Sequence, residues 1–158
     1  MVKETIMKTN SKKIGNMFER EVAKLLSLKV SNNERTDLFC RTPGSGNTFK
    51  DGDIMLATNE ANYKWFDFII ECKTSKTGSI LPLRSSVKEY LRQCVKRYKN
   101  KRWLLIVKFR NNDGAIYCIA PDNSAIHLDK DAIIMYFIFN EKTFFVFDFF
   151  KLKFYQKI

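Results

Sequence analysis

The segment Trp65-Phe66-Asp67-Phe68-Ile69-Ile70-Glu71-Cys72-Lys73 constrains the fold more than any other part of the chain. Phe66, Phe68, Ile69 and Ile70 give it an apolar, β-branched and aromatic centre, the mark of a strand. Side chains alternate between the faces of a strand, so Ile70 and Cys72 turn toward a core while Glu71 and Lys73 share the opposite face. A carboxylate and an ammonium thus stand side by side at the end of a buried strand, where charges need partners or a function.

The rest of the chain builds a sheet around that strand. Residues 1–12 are polar and lysine-rich and read as a frayed arm, with Ser11 as a helix cap. Ile14, Phe18, Val22, Leu25 and Leu26 recur at helical spacing up to Leu28, and Asn32 and Asn33 mark the exit. Leu38–Arg41 reads as a short strand, and the Pro-, Gly- and Asn-rich stretch after it as a loop. Asp53–Ala57 reads as a strand that forms a hairpin with Trp65–Lys73 across a turn at 59–64. A loop at 74–82 leads to a helix, opened by Ser86 and running over Val87–Tyr98, with Val87, Tyr90, Leu91, Cys94 and Val95 on one face. Trp103–Phe109 and Ala115–Ala120 read as strands joined by a turn at Asn111–Gly114, and the remainder as further short strands. This order specifies a mixed α/β (α+β) domain with a central sheet, all of 1–158 forming one unit and 121–158 a β-rich extension of it.

Asp53 lies one hairpin before Glu71. If the two strands pair, two carboxylates meet, and a divalent cation relieves their repulsion. Mg²⁺ takes a few carboxylates with carbonyls, waters and phosphate oxygens, and Asp53, Glu71 and the backbone carbonyl of Cys72 supply such a set, with Mn²⁺ a workable substitute. Lys73 can orient or help deprotonate an attacking water, or stabilise charge in the transition state. Either motif alone is weak: a Glu-x-Lys pair is commonly a surface ion pair, and a Gly-Asp commonly a turn. Charge strengthens the pattern. Lys and Arg number 28 against 17 Asp and Glu, a formal +11, for which a polyanionic partner is the simplest physical reason.

In this order these residues resemble the PD-(D/E)XK nuclease superfamily, and most of all its archaeal-type Holliday-junction resolvases. The opening helix of those resolvases, a basic residue, Gly and then Glu, is similar to Lys13-Ile14-Gly15-Asn16-Met17-Phe18-Glu19 with Ile14 inserted. The Gly/Ser loop is similar to Arg41-Thr42-Pro43-Gly44-Ser45-Gly46, and the catalytic strand to Ile70-Glu71-Cys72-Lys73-Thr74. The resemblance covers roughly residues 12–120. It implies a restriction-endonuclease-like mixed sheet flanked by helices. It further implies Asp53 and Glu71 as metal ligands, Lys73 as catalytic lysine, Glu19 as an accessory acid, and a Gly44–Gly46 loop that approaches the junction. Gly52 stands where the superfamily has Pro, the loops on both sides of Asp53 are long, and residues 121–158 match nothing in the resemblance. The helical wheel leaves Glu19 and Glu21 both open: Glu21 falls near the centre of the Met17/Phe18/Leu25 stripe, whereas the spacing from Gly15 favours Glu19.

The expected DNA contacts are Lys13, Arg41, Ser45, Lys76, Arg84, Lys88 and Arg92; a plain solvated face is the competing reading of the basic run on the second helix. Gln93 reads as an exposed helix residue, and His127 lies far from the motif. The four cysteines are scattered without a C-x-x-C pair, which excludes a zinc site of that type and fits free thiols in a reducing, intracellular setting. No apolar run approaches a membrane span. The functional expectation is a structure-selective endonuclease resolving branched DNA, four-way junctions foremost, as a homodimer with two equivalent sites. A restriction-type or phage nuclease acting on other DNA, and a DNA-binding module without chemistry, are the alternatives.

Overall fold

The computed structural model describes residues 2–43, 51–76, 85–110 and 114–156, with side chains in the first stretch from residue 10 onward and in the third from residue 86. Helix α1 spans Val2–Val30. It therefore absorbs the segment read as a frayed arm, and Ser11 sits inside the helix as an exposed residue instead of capping it. The segment contains neither Gly nor Pro, so nothing in it interrupts helical propagation. The exit falls where expected: Asn32 and Asn33 adopt φ of 54° and 67°, left-handed conformations that Asn tolerates better than most residues.

Seven strands follow: β1 (Phe39–Arg41), β2 (Ile54–Leu56), β3 (Ile69–Ser75), β4 (Trp103–Phe109), β5 (Ile116–Pro121), β6 (Ile133–Phe139) and β7 (Lys142–Asp148). They form one mixed sheet in the order β1-β2-β3-β4-β5-β7-β6. Among the described strands only β3 and β4 pair in parallel, and helix α2 (Ser85–Tyr98) lies between them in the chain. The sheet's flanking helices and mixed strands match the fold class expected from sequence. The C-terminal residues extend this same sheet as its last two strands, after a four-residue helix α3 (Asp122–Ala125).

Two apolar clusters cover the two faces. Phe18, Val22 and Leu26 of α1 pack with Ile70, Cys72, Leu104, Ile106, Cys118 and Phe147 on one side. Val87, Leu91, Cys94 and Tyr98 of α2 pack with Trp103, Leu105, Val107, Ile119 and Phe144 on the other. Strand β4 is buried on both faces, which is why its sequence is an almost unbroken apolar run without alternation. Met17, placed on the buried stripe by its spacing, is 59% exposed, so that stripe is centred on Phe18, Val22 and Leu26.

Strand β3 is shorter at its start than its composition suggests. Trp65–Phe68 is irregular, because the rings close into a cluster: Phe66 makes edge contacts with Phe39, Trp65, Phe68 and Phe154. The β2–β3 hairpin exists but is brief, with Ile54 opposite Ile70 as its registered pair. The turn at 59–64 contains a 3-10 turn over Ala61–Tyr63.

Candidate active site

Glu71 and Lys73 lie on the face of β3 that meets α2, as strand alternation requires. Glu71 is buried, at 8% exposure, and each of its carboxylate oxygens has a donor. The Lys73 ammonium is 3.2 Å from Oε1, and the Tyr98 hydroxyl donates to Oε2 at 2.7 Å. Lys73 also sits over the Tyr90 ring, 5.7 Å from its centre. Burial acts to lower the Lys73 pKa, but Glu71 and Asp53 outweigh it and hold the group above the usual lysine value. Lys73 is therefore a cation at neutral pH.

Asp53, read from sequence as the first residue of a strand, lies immediately before the neighbouring strand β2. Its backbone N–H donates to the carbonyl of Ile70 at 2.7 Å, and its Oδ2 accepts the N–H of Cys72 at 2.8 Å. Oδ1 has no hydrogen-bond partner among the described residues. The approach depends on Gly52. Its φ is +86°, and a Cβ there would lie 2.7 Å from the Ile70 carbonyl oxygen. Proline cannot reach that φ and any side chain would collide, so glycine is required immediately before Asp53. Burial pushes the Asp53 pKa up to about 6, helped by the negative charges of Glu71 and Glu19 and opposed by the Cys72 N–H and Lys73. Two other carboxylates, Glu71 and Glu19, thus act on Asp53 at the start of β2.

Glu19 and Glu21, open alternatives on the helical wheel, have different surroundings. Glu19 is in electrostatic reach of Asp53 and Cys72 and is held by Arg41, whose second nitrogen donates to Asn16 at 2.7 Å. Glu21 instead meets Lys108 of β4 at 2.9 Å. Arg41, expected as a phosphate contact, is thereby engaged inside the protein. Lys13 and Arg92 are exposed, Lys76 is exposed just past the end of β3, and Lys88 is half-buried on α2. Arg92 pairs with Glu89 and lies over the Phe139 ring. Gln93 is exposed as expected, 3.4 Å from Glu89. Ser45, the Gly44–Gly46 loop and Arg84 lie outside the described residues. All four cysteines are free, Cys40 half-buried and the others buried.

The donor set is hard oxygen. Among the described residues no three His, Cys, Asp or Glu side chains gather into a metal-holding group. What the site offers is two carboxylates and, because the N–H and C=O of one strand residue point to the same side, the Cys72 carbonyl on the Asp53 side, past the last β2–β3 pair. Such a set fits a small divalent cation that retains waters and takes phosphate oxygens from its substrate. It does not fit a structural zinc, which needs four protein ligands.

A family model described as "Phage putative PDDEXK endonuclease" matches residues 10–156. The chain belongs to this family. The match takes in β6 and β7, which the resemblance to junction resolvases left unplaced, and the family description names an endonuclease of phages without mentioning junctions. Curated proteins and solved structures yield no match. Read along this PDDEXK chain, Gly52-Asp53 and Glu71-Cys72-Lys73 occupy the order that the superfamily name spells, with glycine in the place of proline for the conformational reason above. Nucleases of this superfamily generally use divalent metal ions.

Tyr98 is the contact that sequence reading missed. It appears in the sequence as the end of an amphipathic helix, and its hydroxyl meets Glu71 only through the docking of α2 on β3. A buried tyrosine whose oxygen needs a partner is the one signal that could have drawn attention to it.

Proposed function

We propose that this protein is a Mg²⁺-dependent DNA endonuclease in which Asp53, Glu71 and the Cys72 carbonyl hold the metal, Lys73 is the catalytic lysine and Glu19 is an accessory acid. The observation that carries the reading is the meeting of Asp53 with the Glu71–Lys73 pair at the end of β3. Bound there, the cation supplies Lewis-acid activation of the phosphate and lowers the pKa of water. The chain's own residues do the rest. Asp53 presents Oδ1 while its other oxygen is anchored on the Cys72 N–H. Lys73, held as an ammonium, donates hydrogen bonds to the water or to the phosphate oxygens as charge builds on them. Its protonated state favours that role over proton abstraction. Hydrolysis adds water across one P–O ester bond and leaves a phosphomonoester and a hydroxyl.

The substrate in this reading is DNA recognised by backbone and shape, with branched DNA such as four-way junctions preferred. Exposed lysines and arginines, Lys13, Lys76 and Arg92 among them, are suited to phosphates rather than base edges. The partner is a second copy. β6 is an edge strand of seven residues without a charge, and Ile134, Tyr136 and Ile138 are exposed on it. On a chain of net charge +11, an uncharged strand that can pair antiparallel with itself is a place where two copies meet without juxtaposing like charges on the paired strands. A second reading, compatible with a family described as phage endonucleases, is a nuclease acting on other DNA such as linear duplex.

A synthetic four-way junction and its matched linear duplex, each with Mg²⁺ or chelator, separate the two. Paired symmetric nicks in the junction alone, from a protein that sediments as a dimer, are expected. Equal metal-dependent cutting of both substrates would move the protein to the second reading.

A further inference from the structure

We propose that Tyr98 is a positioning residue of this site, its hydroxyl fixing the Glu71 carboxylate in the orientation that receives the metal. The inference rests on the reading of Glu71 as a metal ligand.

Glu71 projects from a strand into the space under α2, where a flexible side chain has several rotamers open to it. The two donors that hold it differ in stiffness. Lys73 carries its ammonium on a four-carbon stem, with 31% of the side chain exposed, so it can follow a phosphate that enters from solvent. Tyr98 is 1% exposed, and its rigid ring is packed in the cluster with Leu91, Cys94, Trp103 and Leu105. Its backbone is equally fixed. It is the last residue of α2, Lys99 turns the chain at φ 47° and donates to Val95, and Lys101 donates to the Tyr98 carbonyl at 2.9 Å. Two residues further on, β4 begins, and its Leu105 pairs with Glu71 in register. The turn that launches β4 therefore also aims the phenol at Oε2. Glu71 keeps that anchor when Lys73 leaves Oε1 for the substrate. Outer donors of this kind restrain a ligand's orientation, and their removal typically weakens metal binding about 10- to 100-fold.

Tyr98→Phe removes the oxygen and keeps the ring. Mg²⁺ and Mn²⁺ binding to full-length wild type and variant are measured by calorimetry, together with the metal concentration that gives half-maximal DNA cleavage. The expected result is a Kd for metal about 10-fold weaker or more, with a matching shift in half-maximal metal and a smaller change in rate at saturating metal. Leu91→Ala, which opens a cavity in the same helix face and removes neither Glu71 donor, controls for general loosening: it should lower Tm and leave metal affinity unchanged. Unaltered metal affinity in Tyr98→Phe overturns the inference, as does an equal loss in Leu91→Ala. Absence of metal binding by the wild type would instead remove the underlying reading of Glu71.

Discussion

At the scale of single residues, Asp53 concentrates the electrostatic tension of the site. It is half-buried within electrostatic reach of Glu71 and Glu19, and its carboxyl is pushed from 3.8 up to about 6. A carboxyl whose pKa rises on folding binds its proton more tightly in the folded state. Its contribution to stability is fully present below about pH 4 and is lost as pH climbs through about 6. The metal-free protein should therefore lose on the order of 2–3 kcal/mol across that window from this group alone. Asp53→Asn abolishes the loss. Denaturant titrations of both proteins from pH 4 to 8 check this, and the stability difference between them should grow with pH and level off above 7. A difference independent of pH would mean that Asp53 titrates normally. Gly52 is the other residue with no freedom, since its positive φ and its contact with the Ile70 carbonyl are what bring Asp53 against β3.

Between elements, one serine ties the first helix to the sheet. Ser27 is fully buried, donates to the Ala23 carbonyl at 2.8 Å and accepts the Phe39 N–H at 3.0 Å, so it joins α1 to β1 by hydrogen bonds within their shared apolar cluster. Ser27→Ala leaves the Phe39 N–H buried without that partner and should cost about 1–3 kcal/mol in chemical denaturation. A neutral effect would show that this junction adjusts freely. The elements that sequence made legible are those with strong periodicity or end signals. Trp103–Phe109 has the same limits in the structure as in the pattern, and the Asn32-Asn33 exit of α1 lies where its residues place it. Legibility stopped where three-dimensional packing decides. Trp65–Phe68 has strand composition, yet its rings gather around Phe66 and leave the ladder. The α1 stripe was misphased because Met17, apolar in composition, faces solvent. That phase error is why the wheel could not separate Glu19 from Glu21. Asp53, Glu71 and Lys73 could be read because their spacing reflects strand alternation and a hairpin. Tyr98 could not, because its role depends on how a helix lies on a strand.

For the molecule as a whole, the candidate site sits at a change in the sheet's pairing. β3 is the point where the sheet changes from antiparallel pairing with β2 to parallel pairing with β4, and Asp53, Glu71 and Lys73 meet there. No helix among the described residues is long and apolar enough to cross a membrane. The net charge of +11 provides attraction to polyanions that weakens with salt. The measurement that bears most directly on the central claim is DNA cleavage across a Mg²⁺ titration by the wild type, Asp53→Asn and Lys73→Met, at a salt concentration where all three bind DNA equally. The account predicts cleavage that requires Mg²⁺, stops with chelator, and falls on the order of 10²- to 10³-fold in either variant. Cleavage that persists in chelator, or that survives Asp53→Asn undiminished, would place the chemistry elsewhere in the chain and contradict the account.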